Sequence, residues 1–311
     1  MIREIYSRQE VAQLQHCTLC PRKCGVNRFE GAKGYCGTDA GLNIASICIH
    51  RGEEPPISGP DGICNVFFSG CNLRCIYCQN YEISRPRSNS GDFTFSEAVS
   101  VITDIIRGGI KAIGFVSPSH MIPQMKVLIR AVRETGLKPV IVYNTNSYDC
   151  PEVIEEIEGL IDVYLPDLKY VTPVIAKQYS DAADYSDVAL KALRKMYYQK
   201  GSVLQKDEQG SAESGILIRH LVLPGHSEES KAVLKTIAEE LSPGVNLSLM
   251  SQYYPVPGVR DHSILNRKLY KDEYESVVAV MKSLDFRNGW IQDLNSYLNY
   301  RPDFSRNHPF E

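Results

Sequence analysis

The chain has 311 residues, 43% hydrophobic and 23% charged, and a formal net charge of −3. This is the length of one α/β barrel plus additions, or of two ordinary domains, with the composition of a soluble globular protein that has ample material for a core. The near balance of acidic and basic residues speaks against the broad cationic surface that nucleic-acid binding leans on, and no uninterrupted apolar run is long enough to span a membrane.

The N-terminus, Met1-Ile-Arg-Glu-Ile-Tyr-Ser-Arg-Gln-Glu10, carries charges throughout and has no apolar h-region, so it does not read as a signal peptide and a cytoplasmic protein is expected. Residues 1–15 read as a short amphipathic helix with Ile5, Val11 and Leu14 on its apolar side. Next come Cys17, Cys20, Cys24 and Cys36, spaced C-x2-C-x3-C-x11-C among Gly and Pro. A structural zinc site or a second iron–sulfur centre fits this spacing, since a segment so poor in apolar residues needs another source of stability. The alternative is reduced thiols packed against the rest of the protein. All ten cysteines but Cys150 lie in the N-terminal quarter. In a cytosolic chain such crowding favours metal over disulfides.

The stretch His50 to Pro60 is rich in Pro and Gly and reads as neither helix nor central strand. It is either a solvated connector, with Glu53 and Glu54 as exposed charge, or a loop over the mouth of a site. Val66-Phe67-Phe68 is a buried strand, and it delivers Cys71-Asn-Leu-Arg-Cys75-Ile-Tyr-Cys78. Three cysteines on a loop at a strand end suit a soft, thiolate-binding metal centre. Four-iron clusters usually take four cysteines, so three would leave one iron open to another molecule. The rivals are a zinc knuckle short of a ligand and three buried thiols.

From Cys64 onward strands and helices alternate. Thr94 to Glu97 is a capping box opening a helix that Gly108-Gly109 stops. The further strands are Ala112–Val116, Pro139–Tyr143, Ile161–Leu165, Ile216–Leu223 and Val245–Met250. Helices are expected over Pro123–Thr135, 152–159, 184–200, a stretch around Val233 to Leu241, and 271–284. The run from Gln205 to Gly215 reads as an exposed loop, and the tail after Trp290 has no period. Six strands separated by helices imply a parallel sheet, with any ligand site at the strands' C-terminal ends. Those ends carry Ser117-Pro-Ser-His120, Asn144-Thr145-Asn146, Asp167-Leu-Lys169, Arg219 or His220 (which face opposite ways), and Ser251-Gln-Tyr-Tyr254. Either each is ordinary turn chemistry or most line one cavity.

The cysteine loop, with Tyr77 in its aromatic position, resembles the C-x3-C-x-aromatic-C loop of the radical S-adenosylmethionine (SAM) superfamily. The resemblance implies a [4Fe-4S] cluster on Cys71, Cys75 and Cys78 whose open iron is chelated by SAM. It implies reductive cleavage to a 5′-deoxyadenosyl radical, and a reductant such as flavodoxin or ferredoxin. The fold it implies is α/β, a partial six-stranded (β/α) barrel over 61–290, with a Cys-rich extension over 1–60 and a tail over 291–311. Five further stretches are similar to a branch related to the pyruvate formate-lyase activating enzymes: Cys20–Arg28, Gly52–Gly59, Tyr164–Tyr170, Arg219–Gly225 and Met250–Tyr253. By that likeness Asp167, Lys169, Thr145 and Asn146 lie beside SAM, joined by Tyr77, Ser117, Asn144 and Arg219 as cofactor-binding candidates. Two departures stand out. Val116-Ser117-Pro118-Ser119 replaces the superfamily's G-G-E, leaving the SAM amino group in need of another partner, and Asn144 replaces an aspartate. The expected activity is radical generation, with hydrogen taken from a glycine of a partner protein, or from a small molecule or another peptide residue. A third version keeps the metal only for structure or electron transfer.

Overall fold

The computed structural model describes residues 2–85, 93–298, 301–306 and 308–310. Met1 of the expected first helix and positions 299, 300, 307 and 311 of the expected tail lie outside the described residues. The chain opens with a 3-10 turn, Ile2–Ile5, then α1 (Arg8–Gln15), β1 (Ile44–His50), α2 (Pro55–Ser58) and β2 (Ile63–Phe68). There follow α3 (Tyr81–Ser84), α4 (Phe95–Arg107), β3 (Ala112–Val116), α5 (Ile122–Glu134), β4 (Val140–Thr145), α6 (Pro151–Glu156) and β5 (Val163–Pro166). The C-terminal part comprises α7 (Pro173–Ser180), α8 (Tyr185–Lys200), β6 (Gln205–Lys206), β7 (Ala212–Leu221), α9 (Ser227–Glu240), β8 (Asn246–Met250), α10 (Lys271–Ser283) and β9 (Gly289–Ile291).

Among the described residues the strands form one sheet in the order β1-β2-β3-β4-β5-β7-β8-β9. The six strands expected from apolar runs are β2, β3, β4, β5, β7 and β8, and all pair in parallel. Period-two alternation sorts their side chains. Ile63, Ala112, Val142, Val163, Leu165 and Leu217 join in one inner cluster with Ile57, while Val66, Ile113, Tyr143, Tyr164 and Ile218 pack outward with the helices. Inner residues from β2 through β7 meet one another, which requires the sheet to curl into a partial barrel. Close packing inside is tight: a Cβ on Gly114 of β3 would stand 2.1 Å from Asn65 Oδ1.

Several local expectations are corrected. The first helix is broken at Ser7, whose side chain accepts from Glu10 N and whose own amide donates to Glu10 Oε2 at 2.7 Å, so α1 starts at Arg8. Within His50–Pro60, His50 ends a strand and Pro55–Ser58 is a short helix with Pro at its start, where the missing N–H costs nothing. The stretch Gln205–Gly215 is a hairpin, with β6 antiparallel to the start of β7. β1 is an antiparallel edge strand on β2 where no strand was expected. The tail wraps: Phe304 and Phe310 pack on Phe67, with ring centroids 5.2 and 5.7 Å away.

Glu10 fastens the N-terminal helix to the barrel. It is fully buried and accepts from Arg130 of α5 at 2.7 and 2.9 Å. Burial works to raise its pKa, but the Arg130 hydrogen bond and the Ser7 amide outweigh it, and the net shift is downward. A depressed carboxylate contributes stability above the ordinary carboxylate range and loses it as pH falls through that range. Because Arg130 is partly exposed, Glu10→Gln is expected to cost only about 1–2 kcal/mol at pH 7. Denaturant melts should show the gap to wild type closing by pH 3.

Candidate active site

The cysteine loop starts at Gly70, in a left-handed conformation (φ 76°) that a side chain would strain. A Cβ there would also lie 2.3 Å from the carbonyl oxygen of Cys36, so the N-terminal segment touches the loop at its root. Other anchors come from far along the chain. Buried Asn72 donates to Tyr148 O at 2.6 Å and accepts from Asn146 Nδ2 at 2.9 Å. Arg22 donates to Asn72 O at 2.9 Å and to Asp181 O at 2.8 Å, with its guanidinium on the Tyr35 ring. Ile76 N donates to Tyr179 O at 2.9 Å.

Cys71, Cys75 and Cys78 are half-buried and line a single cavity of about 470 Å³. The sulfurs of Cys71 and Cys75 already have polar neighbours. Leu73 N and Asn146 Nδ2 point to Cys71 Sγ at 3.4 and 3.5 Å, and Ser180 Oγ lies 3.0 Å from Cys75 Sγ. Burial pushes the Cys71 thiol up to about 12 and the Cys75 thiol up as well, so bound iron is what would hold them as thiolates. Three thiols facing one cavity, with two N–H groups aimed at the Cys71 sulfur and the Ser180 hydroxyl beside that of Cys75, are a donor set that fits an iron–sulfur cluster.

The inner face of the barrel supplies the rest. Asp167 accepts from Lys169 Nζ at 2.6 Å and from Arg219 Nε at 2.9 Å, while Leu168 between them is fully buried on the other side. Arg219 Nη2 donates to Asn144 Oδ1 at 2.7 Å and Nη1 to Glu53 Oε2 at 3.1 Å. Asn65 and Asn144 both donate to Glu53 Oε1, at 3.0 and 3.4 Å. Burial acts to raise the Asp167 pKa, but Arg219 and Lys169 outweigh it and hold the carboxyl down. For Lys169 burial works downward and Asp167 overturns it, leaving the ammonium more basic than usual. The pair is thus charged in a half-buried network, with side chains 15% and 19% exposed, rather than an ion pair on open surface.

The cavity brings together Tyr77, Ser117, Asn144, Asn146, Asp167, Lys169 and Arg219. Thr145 is turned away. It alternates to the outer face, where its hydroxyl donates to buried Asp149 at 2.6 Å. His220, next to Arg219, likewise faces outward, with Nδ1 2.7 Å from Leu168 O. Glu53 and Glu54 are in the site rather than in solvent, so the stretch after His50 forms a wall of the cavity. Ser248 of β8 and the tail residues Pro302 and Phe310 also line it and had no signal of their own in the sequence.

The N-terminal cysteines are only partly gathered. Cys17, Cys20 and Cys36 are buried about Arg28, whose Nη2 donates to Cys36 Sγ at 3.5 Å. Cys24 is exposed, its sulfur accepting from Tyr35 N at 3.3 Å. Among the described residues no three His, Cys, Asp or Glu side chains are placed to hold a single metal ion. A four-iron cluster puts its own iron and sulfide between the cysteines, so the Cys71 loop need not converge on one point. No helix among the described residues is long and apolar enough to cross a membrane.

A parallel α/β barrel with a three-thiol loop opening on a cavity at its strand ends is a scaffold for metal-assisted chemistry on a small cofactor. The chain belongs to the radical SAM superfamily, whose family model matches residues 65–237. Membership implies an iron–sulfur cluster and SAM as cofactors, and radical chemistry begun by reductive cleavage of SAM. A relative, the uncharacterized protein MJ0674 of Methanocaldococcus jannaschii, is 26% identical over 273 residues, covering 86% of this chain and 74% of the relative. Among solved structures, SuiB of Streptococcus suis bound to S-adenosylmethionine aligns with a TM-score of 0.48 at 12% identity, covering 74% of this chain. The chain spans 50% of that structure's length. Methylornithine synthase aligns with a TM-score of 0.46 at 14% identity, over 93% of this chain and 73% of its own. A domain of a pyruvate-formate lyase-activating enzyme from Bacteroides vulgatus gives 0.39 at 13% identity, over 55% of this chain and 93% of that domain.

Proposed function

We propose that Cys71, Cys75 and Cys78 hold a [4Fe-4S] cluster and that the adjoining cavity holds SAM, making the chain a generator of substrate radicals. One observation carries the reading: the three thiols and the strand-end polar residues Asn144, Asn146, Asp167, Lys169 and Arg219 face the same cavity. When bound, the cluster and SAM supply a one-electron cleavage and a 5′-deoxyadenosyl radical that abstracts hydrogen. The protein's own residues bind and orient. Lys169 offers an ammonium to an anionic or acceptor group of the cofactor, and Asp167 holds that lysine in place. Tyr77 gives an apolar ring beside the loop, Ser117 a hydroxyl, and Asn146 fixes both Asn72 and Cys71. The barrel and tail keep water and oxygen from the reacting centre. Thr145 serves at one remove, by fixing the turn after β4.

The test is anaerobic reconstitution with iron, sulfide, SAM and a reductant of the flavodoxin or ferredoxin type. Formation of 5′-deoxyadenosine above the protein-free control supports the reading, and its absence in cluster-loaded protein defeats it. Two substrate classes go with it: a glycine in a partner protein, by likeness to the activating enzymes, or a small molecule or another peptide residue.

In this reading the segment through residue 60 is an extension that braces the cluster loop, 61–290 is the barrel and 291–311 a closing tail, in a cytoplasmic enzyme. A metal of the extension, zinc or a second iron–sulfur centre, would be held by Cys17, Cys20 and Cys36 about Arg28, with exposed Cys24 turning in to join them. Metal analysis of anaerobically purified protein with Cys71, Cys75 and Cys78 all replaced by Ala should still find zinc or iron. Finding neither removes this site from the proposal.

A further inference from the structure

The cavity holds more carboxylates than its cations can serve. Glu53, Glu54 and Asp167 line it, with Asp293 adding the same sign, against Lys169 and Arg219. Each cation already has a carboxylate partner. Lys169 is bonded to Asp167, and the three guanidinium nitrogens of Arg219 go to Asp167, Asn144 and Glu53. Glu54 is left over. Its side chain is only 8% exposed, its Oε2 stands 4.0 Å from the nearest Arg219 nitrogen, and that oxygen has no hydrogen-bond partner. A carboxylate oxygen withdrawn from water without a hydrogen bond is costly, so such an oxygen on a side chain that lines a ligand cavity marks a contact that the ligand completes.

We infer that Glu54 accepts the primary amino group of a molecule bound in this cavity. The chemistry follows from what is missing. A surplus of negative charge calls for a cationic or strongly N–H-donating group, and a single free oxygen suits the point-like donor of an amine rather than the two-pronged guanidinium. Burial also raises the Glu54 pKa more than Arg219 lowers it, in keeping with a carboxylate short of a counter-charge. The inference rests on the reading of the cavity as the SAM site. Two sources can bring the amine: the aminoacyl end of the cofactor, or the substrate beside it.

Binding separates them without any reductant or cleavage. Cluster-loaded wild type and Glu54→Gln are titrated anaerobically with SAM and with 5′-methylthioadenosine, the same nucleoside without the aminoacyl end. SAM-loaded protein is then titrated with n-butylamine. A loss of at least about tenfold for SAM, with methylthioadenosine unchanged, assigns the cofactor's amine. The same loss for n-butylamine, with SAM unchanged, assigns the substrate's. If Glu54→Gln matches wild type for all three, or weakens methylthioadenosine as much as SAM, the inference is overturned; so it is if wild type binds none of them. Thermal melts check folding, and Glu54→Asp, which keeps the charge on a shorter stem, is read the same way should the Gln variant not fold. Wild type that binds SAM but yields no 5′-deoxyadenosine defeats the proposed function and leaves the Glu54 result standing.

Discussion

Replacing Cys71, Cys75 and Cys78 together by alanine is expected to bring 5′-deoxyadenosine formation down to the protein-free background while the melting temperature stays near that of wild type. The two halves of this result have separate causes. The activity falls because no other cysteine faces the cavity among the described residues. The fold survives because the loop is anchored by other atoms: Asn72 to Tyr148, Arg22 to the Asn72 carbonyl, Ile76 N to Tyr179 O and Arg74 N to Ser180 O. The thiols themselves are half-buried and contribute little apolar area. A triple variant that folds and still makes 5′-deoxyadenosine would falsify the assignment of the cluster to this loop.

The second large effect is expected at Arg219. Arg219→Met removes the one guanidinium shared by Asp167, Asn144 and Glu53 and leaves their oxygens facing each other in a half-buried site. Breaking a buried pair from one side typically costs about 3–5 kcal/mol, which for a chain of this length is a drop on the order of 10 °C in melting temperature. Arg219→Lys should rescue little, because an ammonium cannot span the partners that the planar fork reaches. The pH dependence has a defined sign. In wild type the net depression of Asp167 makes its contribution full above the ordinary carboxylate range and lost as pH falls through it. Without Arg219 that contribution is largely gone already at pH 7, so the two stability curves should converge toward pH 3. A variant within about 1 kcal/mol of wild type at pH 7, with normal SAM binding, would show that Arg219 is not the hub of the site.

The parts of this site that were legible in the sequence are those encoded by local spacing. The cysteine loop, the six parallel strands and the Asp167–Lys169 alternation each follow from residues within ten positions of one another. Thr145 misled because neighbours on a strand point to opposite faces, and Asn144, not Thr145, takes the inner one. Glu53 and Glu54 stayed ambiguous for another reason. Their burial depends on Arg219 of β7, 166 positions beyond Glu53, and no local pattern announces such a partner. The edge strand β1 was missed because its pairing with β2 is non-local, and the hairpin at Gln205 because β6 is only two residues, both polar and exposed.

The anchors of the cysteine loop also set an order of events during synthesis. Asn72 reaches 76 positions forward to Tyr148, Cys75 reaches 105 forward to Ser180, and Arg22 spans 159 to Asp181. Contacts of such sequence separation close slowly, and a chain emerging from its N-terminus must wait for each distant partner to be made. Throughout that interval the three thiols sit on an unbraced loop, open to oxidation and to stray metal. On the proposed function, stable cluster loading is expected to follow the docking of residue 181, and chains stalled before that point should accumulate as iron-poor, readily oxidised species.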